Sequence, residues 1–88
     1  MIVKAIKIKP EIEEKIETKH AITITEIEDI LLRNNPKFRK VKDCYMAIGI
    51  WKRYLTIFFS YNKNFKEATI ITAYPSSKWQ IKLYRRSK

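Results

Sequence analysis

One histidine and a few arginines that lie beside tyrosines are the residues of this chain best suited to chemistry on a phosphodiester. His20 is the candidate general acid or base, because histidine is the side chain that most readily exchanges a proton near neutral pH. Arg53, Arg85 and Arg86 are candidate cations for a phosphate, and Tyr54, Tyr74 and Tyr84 can donate a phenolic hydrogen bond or stack on a base. The candidate catalytic set for metal-independent cleavage of RNA by its own 2′-hydroxyl group consists of His20, Arg53, Tyr74, Tyr84 and Arg85.

The same side chains also have structural interpretations, which the sequence leaves open. His20 ends an expected helix on its apolar side, where it could pack or bind the last carbonyl groups of that helix. Tyr84 lies one turn after Gln80 and could pack on a sheet. The basic residues near the end of the chain could form a solvated surface.

The net charge of +10 is distributed unevenly along the chain. Residues 1–10 carry +3, residues 11–29 carry −5, and residues 30–88 carry +12. A body this basic attracts polyanions, so RNA is an expected partner; the alternative is a cationic surface without a partner. The candidate RNA-binding residues are Arg39, Lys52, Lys78, Lys82 and Arg86.

Composition excludes several other kinds of site. One glycine cannot form a glycine-rich phosphate loop, and one histidine with one cysteine cannot form the usual zinc site. We therefore expect no metal ion and no small-molecule cofactor. The single cysteine, Cys44, excludes an internal disulfide, and no apolar run approaches about 18 residues. These features predict a cytoplasmic protein that does not associate with a membrane.

The stretch from Tyr54 to Tyr61 is expected to be the central strand that positions these groups. It is rich in β-branched and aromatic residues and contains no charged residue, glycine or proline. Because successive strand residues point to opposite faces, its odd and even positions form two rows. The odd row is apolar and should be covered by helices, whereas the even row is mixed and could meet water or a ligand.

Periodicity and capping residues predict three helices. Residues 11–20 have apolar side chains at helical spacing, and Thr23 with Glu26 forms a capping-box signature for a second helix that stops at residues 34–36. Residues 75–77 open a last helix, in which Ser77 and Gln80 form a second capping-box signature. Trp79 and Leu83 of that helix are expected to face inward.

Strands are expected at residues 2–9, 37–42, 44–50, 53–61 and 67–74, with Gly49 at a bulge or at the start of a turn. The resulting order predicts a single α+β domain over residues 1–88. It consists of an N-terminal strand and an αα-hairpin, followed by an antiparallel sheet of about four strands and a C-terminal helix.

Residues 19–23 read Lys-His-Ala-Ile-Thr, and residues 26–28 read Glu-Ile-Glu. This segment resembles the Lys-His-Gly-Val-Thr/Ser…Glu-Val-Glu signature of BrnT-like toxins, which belong to type II toxin–antitoxin systems. The motifs at residues 45–49, 53–55, 71–73 and 84–86 follow in the order of that family. The resemblance extends from about residue 14 to residue 86.

The resemblance implies a RelE-like fold and a ribonuclease that inhibits translation without a metal ion or cofactor. It also implies two partners, a cognate antitoxin protein and RNA that is free or bound to the ribosome. Three places depart from the family pattern: Ala21 replaces a glycine, Tyr74-Pro75 replaces a basic pair, and Trp79-Gln80 replaces a Glu-Arg pair. These changes leave open a non-catalytic module of the same fold that binds RNA or protein.

Overall fold

The computed structural model describes residues 1–86, which form three helices and one five-stranded sheet. The elements, in chain order, are β1 (Ala5–Lys7), α1 (Pro10–His20), α2 (Ile24–Leu32), β2 (Lys37–Val41), β3 (Cys44–Ile50), β4 (Tyr54–Asn62), β5 (Glu67–Pro75) and α3 (Lys78–Arg86). The predicted α+β class and the predicted order of elements are confirmed. The sheet has five strands instead of about four, because β1 joins it.

The sheet has the strand order β1-β5-β4-β3-β2, so β4 is its central strand, as predicted. The strands from β2 to β5 pair antiparallel, whereas β1 pairs parallel with β5, Ala5 lying opposite Glu67. A parallel pair requires a long crossover connection, and here the chain between β1 and β5 contains every other element except α3.

The odd row of β4 forms the core beneath α1 and α2. Leu55, Ile57 and Phe59 are completely buried, and they belong to the same apolar cluster as Ile16 of α1 and Ile27 of α2. Burying one such side chain contributes about 1.5–3 kcal/mol. The apolar stripes of the two helices therefore hold the helical hairpin on one face of the sheet.

Gly49 allows α2 to approach the sheet closely. It lies within β3, paired with Leu55, and its φ angle is not positive, so the expectation of a bulge or turn is wrong. A Cβ atom at this position would lie 2.5 Å from Cγ2 of Ile30 and 3.3 Å from Cβ of Pro36. Glycine is present here because helix α2 leaves no room for a side chain.

A left-handed residue reverses the chain between α1 and α2. Ala21 has φ 54° and ψ 36°, and its N–H group donates to the carbonyl of Glu17 at 2.9 Å. Glycine is the usual residue at such a position, because the Cβ atom of any other residue is crowded there. Two residues later, Thr23 and Glu26 form the predicted capping box at the start of α2.

Helix α3 packs on the opposite face of the sheet from α1 and α2. Its buried residues are Gln80 and Tyr84, and Tyr84 packs with Met46 and Ile48 of β3. Trp79 is 57% exposed, so the prediction that it faces inward is wrong. The buried face of the helix is shifted by one residue, from Trp79 and Leu83 to Gln80 and Tyr84, because Gln80 forms hydrogen bonds with hydroxyl groups of the sheet.

Candidate nucleic-acid interface

The outer face of α3 carries only basic residues and one tryptophan. Lys78, Trp79, Lys82, Arg85 and Arg86 are all exposed, on the side of the helix opposite the buried Gln80 and Tyr84. No acidic residue occurs in this helix. We call these five exposed residues the α3 face.

The positive charges of α3 repel one another along its outer face, whereas the helix dipole favours only Arg85 and Arg86 in the last turn. Lys78 and Lys82 repel each other at a spacing of four residues, as do Lys82 and Arg86, and each pair costs about 0.2–0.5 kcal/mol. Lys78 also lies at the positive end of the helix dipole. In the described part of the chain, both salt bridges involve acids of α2, so neither offsets this repulsion. A bound polyanion would offset it.

The acidic helical hairpin and the basic helix α3 lie on opposite faces of the sheet. Residues 11–29, which include α1 and most of α2, have a net charge of −5 and cover the face with the odd row of β4. Arg39 of β2 lies on the same face of the sheet as α3. It pairs with Met46 of β3, and paired residues of neighbouring strands lie on the same face. The Met46 sulfur is 3.8 Å from Nε2 of Gln80 in α3. We call the face of the sheet that carries α3 and Arg39 the basic side.

The predicted pair Tyr84 and Arg85 forms an aromatic cluster with Tyr54 at the start of β4. Arg85 Nε donates to the hydroxyl of Tyr54 at 3.3 Å, and its guanidinium lies 5.9 Å from the centre of that ring. The rings of Tyr54 and Tyr84 meet edge to face, with centroids 5.8 Å apart. Since Tyr84 is only 6% exposed, its position agrees with the packing interpretation, whereas Arg85 is exposed.

Gln80 is the centre of a buried network of hydrogen bonds. Its Oε1 accepts from the hydroxyl of Thr56 at 3.0 Å and from the N–H of Ser77 at 2.9 Å, and its Nε2 donates to the hydroxyl of Tyr74 at 2.9 Å. The bond to Ser77 is one half of the predicted second capping box. Gln80 is 1% exposed, so its side chain is closed to a phosphate and holds α3 on the sheet.

His20 and Tyr74 are neighbours at the end of α1. Their ring centroids are 6.5 Å apart, and both side chains are half-buried. The Tyr74 ring also stacks on Phe58, with centroids 6.0 Å apart. The fold therefore brings together two of the five predicted catalytic residues, and Tyr74 is held on both its ring and its hydroxyl group.

Arg53 joins the helical hairpin to the turn between β3 and β4. Its Nη2 donates to the carbonyl of Ala21 at 2.9 Å and to Oε1 of Glu26 at 3.3 Å, and its Nε donates to Oε2 of Glu26 at 3.4 Å. The Arg53 side chain is 37% exposed and that of Glu26 is 12% exposed. The guanidinium that we predicted for a phosphate is thus engaged in a structural ion pair with Glu26.

The predicted RNA-binding residues are all exposed, but they lie in three places. Lys78, Lys82 and Arg86 belong to the α3 face, Arg39 lies on the edge strand β2, and Lys52 lies in the turn between β3 and β4. The sequence prediction omitted two aromatic residues at these sites, Trp51 and Trp79. The signal that identifies them is a tryptophan directly adjacent in sequence to a lysine at an exposed position.

Within residues 1–86, no group of three or more histidine, cysteine, aspartate or glutamate side chains is placed to hold a metal ion. None of the helices in this range has the length and apolar character needed to cross a membrane. The chain matches no family model, no curated protein and no solved structure.

Proposed function

We propose that this protein binds single-stranded RNA on the α3 face, together with Arg39. The observation that carries this proposal is the charge of the α3 face, four cations on one side of a nine-residue helix without an acidic residue. Such a helix is less stable alone than with bound phosphates, because the bound phosphates offset the repulsion and release counterions.

Trp79 favours a single strand over a duplex. It is 57% exposed and lies between lysines of the same helix face. Exposed aromatic side chains beside cations stack on unpaired bases, whereas the bases of a duplex are already stacked on each other. Stacking of this kind is sequence-tolerant, so we expect little dependence of affinity on base sequence.

Charge reversal on the α3 face tests this proposal. We expect the double variant Lys82→Glu/Arg86→Glu to bind a fluorescent single-stranded RNA at least about tenfold more weakly than the wild type, because two phosphate contacts become repulsive. The matched control is Lys15→Glu/Lys63→Glu, which makes the same change in net charge at two exposed positions outside the α3 face. Equal loss of affinity in both variants would contradict a localised interface.

A second candidate function is that of a BrnT-like toxin, which cuts RNA without a metal ion, inhibits translation and is neutralised by a cognate antitoxin. The sequence motifs support it, and so does the proximity of His20 to Tyr74. Both candidate functions imply a cytoplasmic protein whose RNA is free or bound to the ribosome. An antitoxin would cover the basic side with acidic and apolar residues.

Expression in a bacterial host tests the second function. A toxin should arrest growth and cut RNA in the presence of a chelator, and His20→Ala should slow cleavage by about a hundredfold or more if His20 transfers a proton. Circular dichroism shows whether the variant remains folded. Wild-type protein that neither arrests growth nor cuts RNA would exclude the ribonuclease function and leave RNA binding.

A further inference from the structure

A pocket outside the α3 face lies between the loop that joins α1 to α2 and the turn that joins β3 to β4. Its volume is about 450 Å³, and it is a shallow pocket that opens to the solvent. The lining residues are Ala21, Thr23, Thr25, Glu26, Trp51, Lys52 and Arg53. The ion pair between Arg53 and Glu26 fixes the two walls relative to each other.

Trp51 gives this pocket an aromatic surface. It lies in the short turn between β3 and β4, where its backbone N–H donates to the backbone carbonyl of Arg53 at 3.3 Å. The residue is 41% exposed. Its position therefore stabilises the core less than a buried tryptophan would. A base that stacks on the indole would cover much of the surface that is now exposed.

One cation lies on this indole, and a second cation, Arg53, lines the same pocket. The ammonium group of Lys52 is 4.7 Å from the centre of the Trp51 ring, and Lys52 is exposed, so it can leave the ring for a phosphate at small cost. Arg53 donates hydrogen bonds to Glu26 and Ala21 through Nε and Nη2. No group within residues 1–86 accepts a hydrogen bond from its Nη1. With Glu26 counted, the net charge of the pocket is +1, which favours a phosphate.

We propose that this pocket binds one nucleotide of a single-stranded RNA, with the base on Trp51 and the phosphate on Lys52 and Nη1 of Arg53. The inference deepens the RNA binding proposed above and rests on it. Tyr54 connects the two sites, because it follows Arg53 in the chain and its hydroxyl accepts a hydrogen bond from Arg85 at 3.3 Å.

Tryptophan fluorescence tests the pocket separately from the α3 face. The chain has two tryptophans, so the variant Trp79→Phe retains Trp51 as the only one and keeps an aromatic ring on α3. In a titration with a single-stranded oligonucleotide, we expect quenching of Trp51 at the same midpoint as the change in anisotropy of the labelled RNA. In the wild-type background, Trp51→Ala should weaken binding by about five- to a hundredfold, and Trp51→Phe should restore most of the affinity.

The outcomes separate the two proposals. If RNA binds with unchanged Trp51 fluorescence, and Trp51→Ala binds as tightly as the wild type, the nucleotide pocket is wrong and the α3 face stands. If no RNA binds at low salt, RNA binding itself is wrong, and the pocket with it. Thermal unfolding of Trp51→Ala and Trp51→Phe confirms that any loss of affinity comes from folded protein.

Discussion

Replacement of Arg53 distinguishes a structural role from a chemical one, because the structure assigns its guanidinium three acceptors. We expect Arg53→Ala to destabilise the fold, since it removes the bonds to the carbonyl of Ala21 and to both carboxylate oxygens of Glu26. It also leaves the Glu26 carboxylate, which is 12% exposed, without its counter-charge.

The size of this effect follows from burial. Hydrogen bonds to charged groups contribute about 1.5–3 kcal/mol when they are buried, whereas exposed ion pairs contribute about 0–1 kcal/mol. The Arg53 side chain is 37% exposed, so solvent screens part of the interaction. We therefore expect a loss of about 1–2 kcal/mol in the free energy of unfolding. For a domain of this size, that loss lowers Tm by roughly 4–16 °C.

Urea and thermal unfolding of Arg53→Ala, Glu26→Gln and the double variant measure this effect. Glutamine at position 26 keeps an oxygen for the N–H of Thr23, so it removes the ion pair and retains the cap. The double variant should lose less stability than the sum of the single variants, because both remove the same interaction. The control is Lys52→Ala, in the same turn, which should change stability by less than about 0.5 kcal/mol. An Arg53→Ala protein as stable as the wild type would refute the structural role.

Three further substitutions test the packing. Gly49→Ala should destabilise the fold by about 1–3 kcal/mol, since the new Cβ would lie 2.5 Å from Cγ2 of Ile30. A calorimetric scan in which the variant and the wild type have the same Tm would contradict this. Ala21→Gly should raise the free energy of unfolding by about 1 kcal/mol, because φ is 54° and glycine adopts this angle without strain. A lower free energy of unfolding in urea would contradict this. Gln80→Leu should lower the free energy of unfolding by about 1–3 kcal/mol, because the N–H of Ser77 and the hydroxyl of Thr56 both lose the acceptor Oε1. An unchanged thermal unfolding curve would show that the network adds no stability.

The features that the sequence predicted correctly are local ones. The capping box of Thr23 and Glu26 spans three residues, and the apolar row of β4 follows from alternation within one strand. Both patterns depend on neighbours in the chain, so composition and spacing are sufficient to identify them. The same is true of α1, which begins at Pro10, and of the edge strand β2.

The features that the sequence did not predict depend on contacts between distant segments. Gly49 is explained by Ile30, which precedes it by nineteen residues, and Arg53 is held by Glu26, which precedes it by twenty-seven. The inward position of Gln80 requires a hydroxyl of β4 beneath it, and hydrophobicity alone favoured Trp79. Of the candidate site, the basic residues could be named from composition, but their division between the α3 face, the turn and β2 required the fold.

The salt dependence of RNA binding tests the central claim most directly. If the four cations of the α3 face and Arg39 each neutralise one phosphate, the plot of log K against log salt should have a slope of about −0.7 × 5, or about −3.5. Affinity should then fall about 130-fold between about 50 mM and about 200 mM salt. In Lys82→Ala/Arg86→Ala the slope should fall in magnitude to about −2.1, whereas Lys15→Ala/Lys63→Ala should keep the wild-type slope. A slope near zero in the wild type, or the same slope in all three proteins, would contradict RNA binding on the α3 face.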